Sequence, residues 1–248
     1  MSHPRAYPRC VFCGARANSR EHAIPAWIAK RFGFKGLYLE NAVVVGVKHI
    51  RKQPISVASH RARIFCSDCN TFFKHLEDQV ADTLTWMARG RPLQLDTEQI
   101  ALLGCWGAKT GVALLAAEKD FVDLVPEAHR RYLRERETPD DHCWVGYSSW
   151  NGGINKFGGE QLVGAPELGA AETPYRAYAA VLTFAQLAVK LFGLIDSPIP
   201  GYAIGRDTDS FRQFWPPKHL SLKWPLFPVA QEGNLDDLIE FAPMTKLS

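Results

Sequence analysis

The strongest constraint in this 248-residue chain is a repeated spacing: Cys10-Val11-Phe12-Cys13 and Cys66-Ser67-Asp68-Cys69 each set two cysteines three positions apart. One tight turn of this kind can present two thiolates, and four thiolates satisfy the tetrahedral preference of Zn²⁺. The 52 residues between the pairs exceed the span of a compact ribbon, so a structural zinc ion on Cys10, Cys13, Cys66 and Cys69 would close a folded insert. A tetrathiolate site has no open coordination position; it supports the fold and performs no chemistry. Cys105 and Cys143 lack the spacing and stand in apolar settings, which marks them as core residues.

Cysteine usage also bears on compartment. The first residues (Met1-Ser2-His3-Pro4-Arg5) have no apolar core of the signal-peptide type. The longest apolar run, 177–195, is broken by Thr183, Gln186 and Lys190. No membrane span is expected, and the cytoplasm is the expected location, where thiols stay reduced. Charge is uneven. Residues 1–91 hold 15 Lys/Arg against 6 Asp/Glu, whereas the remainder holds 14 against 20. The basic N-terminal part suits a surface that meets a polyanion, or equally a solvated face with no partner.

The pattern predicts an α+β fold in two parts, 1–92 and 93–248, with the boundary at Gly90 and Pro92. Pro25 opens a helix that Gly33 stops. Residues 37–47, rich in valine, read as a strand; 48–52 as a basic turn; 55–58 and 62–65 as short extended pieces. Phe72, Phe73, Leu76, Val80, Leu84 and Met87 mark the buried face of a helix over 71–88. Thr97 caps a helix to about residue 117, in which Gly104, Gly107 and Gly111 allow close packing. Pro126 opens a basic helix through 136. Residues 143–149 read as a strand, and 175–195 as a pair of strands. Asn151-Gly152-Gly153 and Gly158-Gly159 are turn signals, and 236–241 a final helical turn. Trp215 and Trp224 sit beside prolines, as core residues or as platforms for base stacking.

Between the cysteine pairs lies Ser19-Arg20-Glu21-His22-Ala23-Ile24-Pro25, and Asn70 follows Cys69 directly. Phosphodiester hydrolysis needs a base, a cation and a held phosphate. His22 suits the base, since imidazole titrates near neutrality. Glu21 and Asn70 offer hard oxygen ligands for a divalent cation. Adjacent strand residues point to opposite sides, so Glu21 and His22 need a bend to share one site. His22 as a structural histidine, Glu21 as a surface carboxylate and Asn70 as a helix N-cap are the plainer readings.

The ordered set Cys10-x2-Cys13, Glu21-His22, Pro25, Cys66-x2-Cys69-Asn70 resembles the zinc-containing branch of the HNH endonucleases, including junction resolvases of the endonuclease VII type. The resemblance covers about residues 8–90. It implies a zinc-stabilised ββα-metal (HNH, or His-Me finger) module followed by a mixed α+β C-terminal part. It further implies His22 as general base, Glu21 and Asn70 as ligands of Mg²⁺ or Mn²⁺, and DNA as substrate.

The chain has Glu21 where that family usually has Asp, and the family's later histidine has no clear counterpart. Helical spacing from Asn70 offers Glu77 as a further cation ligand and Lys74 as a phosphate contact. Lys48, Arg51, Lys52, Arg61 and Arg63 are further candidate phosphate contacts. The alternatives are a non-catalytic, zinc-stabilised nucleic-acid-binding module, or a subunit that docks in a larger complex such as a defence system. The C-terminal part could serve a homodimer or a partner protein.

Overall fold

The computed structural model describes residues 8–33, 38–43, 48–51, 61–117, 124–151, 156–164, 175–195, 202–204, 211–226 and 244–246. The first part begins with β1 (Ser19–His22) and α1 (Ala26–Phe32). Pro25 precedes α1 and Gly33 ends it at φ 68°, a left-handed value that favours glycine. Next come β2 (Tyr38–Val43), β3 (Lys48–Arg51) and β4 (Arg61–Phe65). β4 pairs antiparallel with β1 and leads through Cys66 into the 22-residue α2 (Ser67–Ala88). Arg31 holds α1 to α2, donating to the Ala81 carbonyl, the Asp82 carboxylate and the Thr85 hydroxyl at 2.9, 2.8 and 2.6 Å.

The second part runs β5 (Leu93–Asp96), α3 (Thr97–Ala117), α4 (Glu127–Arg136), β6 (Cys143–Ser149), β7 (Lys156–Gly164), β8 (Tyr175–Phe184), β9 (Leu187–Leu194), β10 (Tyr202–Ile204), β11 (Arg212–Trp215), β12 (Ser221–Trp224) and β13 (Met244–Lys246). Among the described residues seven strands form one sheet in the order β11-β6-β9-β8-β7-β2-β3, antiparallel except for the β2–β7 pair. The pairs β1–β4, β5–β12 and β10–β13 stand apart from it. The expected strand pair at 175–195 is the β8–β9 hairpin, turned through Ala185 at φ 48°. The sheet also crosses the expected division near residue 92, because β2 pairs with β7. One apolar core likewise runs from Cys10 to Leu226.

α3 packs against the sheet along a glycine stripe. A Cβ on Gly107 would lie 2.6 Å from Val145 Cγ1, and one on Gly111 only 2.8 Å from Leu191 Cβ. Glycines at those positions therefore let the helix axis approach the strands. By length and composition α3 could cross a membrane, a possibility not expected from the sequence; here its apolar window is 83% buried inside the protein. Its N-terminus is a reciprocal cap made by Asp96, not Thr97. The Gln99 N–H donates to Asp96 Oδ1 at 2.8 Å, and the Asp96 N–H to Gln99 Oε1 at 3.1 Å. The Thr97 hydroxyl donates instead to the Leu220 carbonyl.

Several local expectations change. Lys48 to Arg51 is strand β3 and not a turn, because pairing with β2 satisfies its backbone. Gly158-Gly159 lies inside β7, paired with Val181 and Ala180, and is not a turn. α2 starts four residues earlier than its apolar periodicity suggests, since Cys66 is the N-cap. Asn70 is thus an interior residue of the first turn and not the cap, its N–H donating to the Cys66 carbonyl at 3.0 Å. Trp224 is buried, its indole N–H donating to the Met87 carbonyl at 2.9 Å, which removes it from base stacking. Lys52 and the expectations at 44–47, 55–58, 152–153 and 236–241 lie outside the described residues.

Alanine is ordinarily better than glycine in a helix by about 1 kcal/mol. At Gly111 overpacking against Leu191 opposes that gain. Gly111→Ala is expected to lose about 1–3 kcal/mol in urea unfolding with an unchanged m-value; a more stable variant would refute the close approach.

Candidate functional site

The first cysteine pair lies in a tight turn: Gly14 N–H donates to the Cys10 carbonyl at 2.9 Å, and Gly14 takes φ 73°. The turn is fastened to β4 by the Val11 N–H donating to the Ile64 carbonyl at 2.9 Å. Phe12, fully buried, packs its ring in tilted contact 4.4 Å from Phe73 and 5.4 Å from Phe65, centroid to centroid. The second pair caps α2, where the Cys69 N–H donates to Cys66 Sγ at 3.4 Å. Asn18 Oδ1 accepts from the Ser67 N–H and hydroxyl at 2.9 and 3.1 Å, tying this turn to the segment before β1.

These contacts bring the four sulfurs of Cys10, Cys13, Cys66 and Cys69 within 4.8 Å of one another, with Cys13 and Cys66 at 3.5 Å. Tetrahedral Zn–S bonds of about 2.3 Å require sulfurs about 3.8 Å apart. Donor set and spacing therefore fit a metal ion such as zinc. Three of the four cysteines are buried, Cys13 is exposed, and all are free thiols. The closeness of the Cys10 and Cys69 side chains holds Cys10 below the ordinary thiol range and Cys69 above it. The positive end of α2 faces the cluster and favours thiolates.

Beside this centre lies a pocket of about 340 Å³ between α1 and α2, lined by Trp27, Arg31, Asn70, Lys74, Glu77 and Asp78 among others. Asn70, Lys74 and Glu77, three of the residues singled out in the sequence, thus share one surface. The charges of Lys74 and Glu77 are already engaged. Lys74 pairs with Asp78 at 3.0 Å. Glu77 accepts from the ammonium of Lys109, a residue 1% exposed that reaches across from α3. Lys109 also stands 5.5 Å from the centroid of the Phe65 ring. Arg31 is the α1–α2 tether described above.

His22 is half-buried at the end of β1, four residues before Ala26, which lines the same pocket. Glu21 and His22 pair regularly with Ala62 and Arg61. The irregularity in β1 lies between Ser19 and Glu21, one residue before the pair, and the strand ends at His22. Arg61 and Arg63 fall on β4, and Lys48 and Arg51 on β3, so these basic residues belong to two separate sheets.

Two features escaped the sequence reading. Lys109 is the lone cation in an apolar helix, a signal visible in the chain but meaningful only once its partner is known. His129, Asp140 and His142 form a second group of possible metal donors on and after α4. Comparison with protein-family models, curated proteins and solved structures finds no match.

Two expected outcomes follow from this geometry. Reduced protein titrated with Co²⁺ is expected to develop the charge-transfer bands of a tetrathiolate site, absent in Cys66→Ser; their absence in folded wild type would reject the cluster as a metal centre. Glu77→Gln leaves Lys109 buried without its counter-charge and is expected to cost about 3–5 kcal/mol. Lys109→Met should cost less, because Glu77 retains 18% side-chain exposure. Chemical denaturation of both variants measures the order, and the reverse order would contradict it.

Proposed function

We propose that the N-terminal part is a metal-dependent HNH-type endonuclease that hydrolyses phosphodiester bonds in DNA. The observation that carries this reading is the connection of its parts. The antiparallel pair β1–β4 ends in His22 on one strand and runs from the other through the cysteine cluster into α2, where Asn70 opens on a pocket. A paired β1 and β4, with α1, β2 and β3 inserted between them, followed by the cysteine cluster and α2, supports a ββα-metal reading of this part.

In this reading the cysteine cluster holds a structural zinc ion and fixes the angle between β4 and α2. His22 takes a proton from the attacking water. A Mg²⁺ or Mn²⁺ ion held by Glu21 and Asn70 would neutralise charge on the phosphate and leaving oxygen. The bend that Glu21 and His22 need in this reading comes from the end of β1 at His22, where the chain turns at 23–24. Cys66 and not Asn70 caps the helix, and Asn70 lines the pocket, which supports its side-chain oxygen as a ligand there. Glu77, already paired with Lys109, contributes by orienting that wall of the pocket, with direct ligation a secondary role. Lys74, exchanging its exposed pair with Asp78 for phosphate, and the arginines and lysines of β3 and β4 supply phosphate contacts, and these act through charge and so weaken with salt.

The test is cleavage of supercoiled plasmid with Mg²⁺, Mn²⁺ or EDTA, run beside His22→Ala. Product that requires the cation and falls at least about 100-fold in the variant supports the enzyme. No product in any metal from folded, zinc-loaded wild type that still binds DNA would favour a non-catalytic binding module.

A further inference from the structure

We propose that His129, Asp140 and His142 form a second divalent-metal site, separate from the thiolate cluster, that takes a borderline transition-metal ion such as Zn²⁺ through two imidazoles and one carboxylate. One donor atom from each residue lies within 4.8 Å of the other two. His129 projects from α4, while Asp140 and His142 come from the turn that enters β6. The ion would therefore clamp the helix to the end of the sheet at which β6 begins.

The turn itself explains only part of the cluster. Asp140 Oδ1 accepts from the His142 N–H at 2.8 Å and contacts His142 Nδ1 at 2.6 Å, an ordinary Asx arrangement. It does not explain His129. That ring stacks parallel to His142, at 7° and 5.9 Å between centroids. Its Nε2 faces Asp140 Oδ1 at 3.9 Å, beyond hydrogen-bond reach. Its Nδ1 lies 3.0 Å from the hydroxyl of Tyr178, which is fully buried. The Tyr178 hydroxyl also contacts Cys143 Sγ at 3.1 Å. When the hydroxyl gives its single proton to that sulfur, its oxygen accepts from His129 Nδ1–H. His129 then presents the Nε2 lone pair toward a carboxylate oxygen, an arrangement of two acceptors that a cation resolves. A histidine ligand whose other ring N–H is fixed by an oxygen acceptor is the usual arrangement around zinc.

Distances and exposure agree with this role. Zn–N and Zn–O bonds of about 2.0–2.2 Å in a tetrahedron place donors about 3.3 Å apart. The 3.9 Å between His129 Nε2 and Asp140 Oδ1 and the 4.8 Å span of the three donor atoms lie near that value, and ion binding would replace the 2.6 Å hydrogen bond between Asp140 and His142 Nδ1. Side-chain exposure rises from 9% at His129 through 17% at Asp140 to 37% at His142, so the site opens to solvent on the His142 side. Three protein ligands leave a coordination position for water or a small ligand, unlike the closed tetrathiolate cluster.

The experiment is metal titration of the reduced full chain with Zn²⁺ against a chromophoric chelator, paired with Co²⁺ spectra that distinguish sulfur from nitrogen and oxygen ligation. Wild type is expected to bind one equivalent with thiolate bands and a second without them. His142→Ala, at the most exposed of the three positions, should remove the second equivalent and leave the thiolate bands intact, which also shows that the variant is folded. Tyr178→Phe should weaken the second site about 10–100-fold while leaving its stoichiometry unchanged. A folded wild type with no nitrogen- and oxygen-ligated equivalent, or a second equivalent that survives in His129→Ala/His142→Ala, would overturn the assignment. Neither result depends on nuclease activity.

Discussion

Closure of four sulfurs at one point is the constraint on which the N-terminal part depends. Residues 10–13 and 66–69 are separated by a long insert, and bringing them together sets where β1 and β4 can pair and where α2 can begin. Phe12, Phe65 and Phe73 pack beneath the cluster and exclude water from three of its cysteines. The arrangement joins an apolar foundation to a polar, metal-suited surface. This is how a small two-stranded pair, too short to be stable alone, acquires a fixed relation to a 22-residue helix.

The second organiser is α3. Its glycine stripe places it on the sheet, and its lone lysine, Lys109, reaches the other way to Glu77 on α2. A buried ion pair of this kind contributes little net stability relative to apolar packing, but breaking one side is costly. Its consequence here is positional, because it fixes one wall of the pocket that also holds Asn70. α4 adds a further tie. Arg130 donates to the Val11 carbonyl in the first cysteine turn at 3.1 Å, and Arg134 lies 4.0 Å over the Phe72 ring. The helix that carries His129 is therefore also the helix that braces the thiolate cluster.

Much of the local structure was legible because it depends on local chemistry. Pro25 and Gly33 bound α1, Pro126 precedes α4, and the Val-, Ala- and Leu-rich run at 175–195 forms a hairpin of two strands. Errors arose where a distant partner overrides local preference. Gly158-Gly159 resembles a turn, yet β8 lies beside it and supplies a ladder. Lys48 to Arg51 resembles a solvated turn, yet β2 pairs with it. The error at Asn70 is local instead: it resembles an N-cap, yet Cys66 occupies that position because its sulfur accepts from the Cys69 N–H.

By itself the sequence determined the cysteine cluster, since two identical short spacings allow few other uses, and both ends of α1 and the start of α4, since proline and glycine act through their own backbone geometry. It also carried the Glu21-His22 and Asn70 motifs on which the proposed chemistry rests. Only the tertiary structure decided that Glu77 meets Lys109, that β2 joins β7, and that His129 stands against Asp140 and His142. Each of these joins residues at least 11 positions apart in the chain. The energy of such contacts comes from burial and charge pairing between elements, and no property of either segment alone specifies its partner.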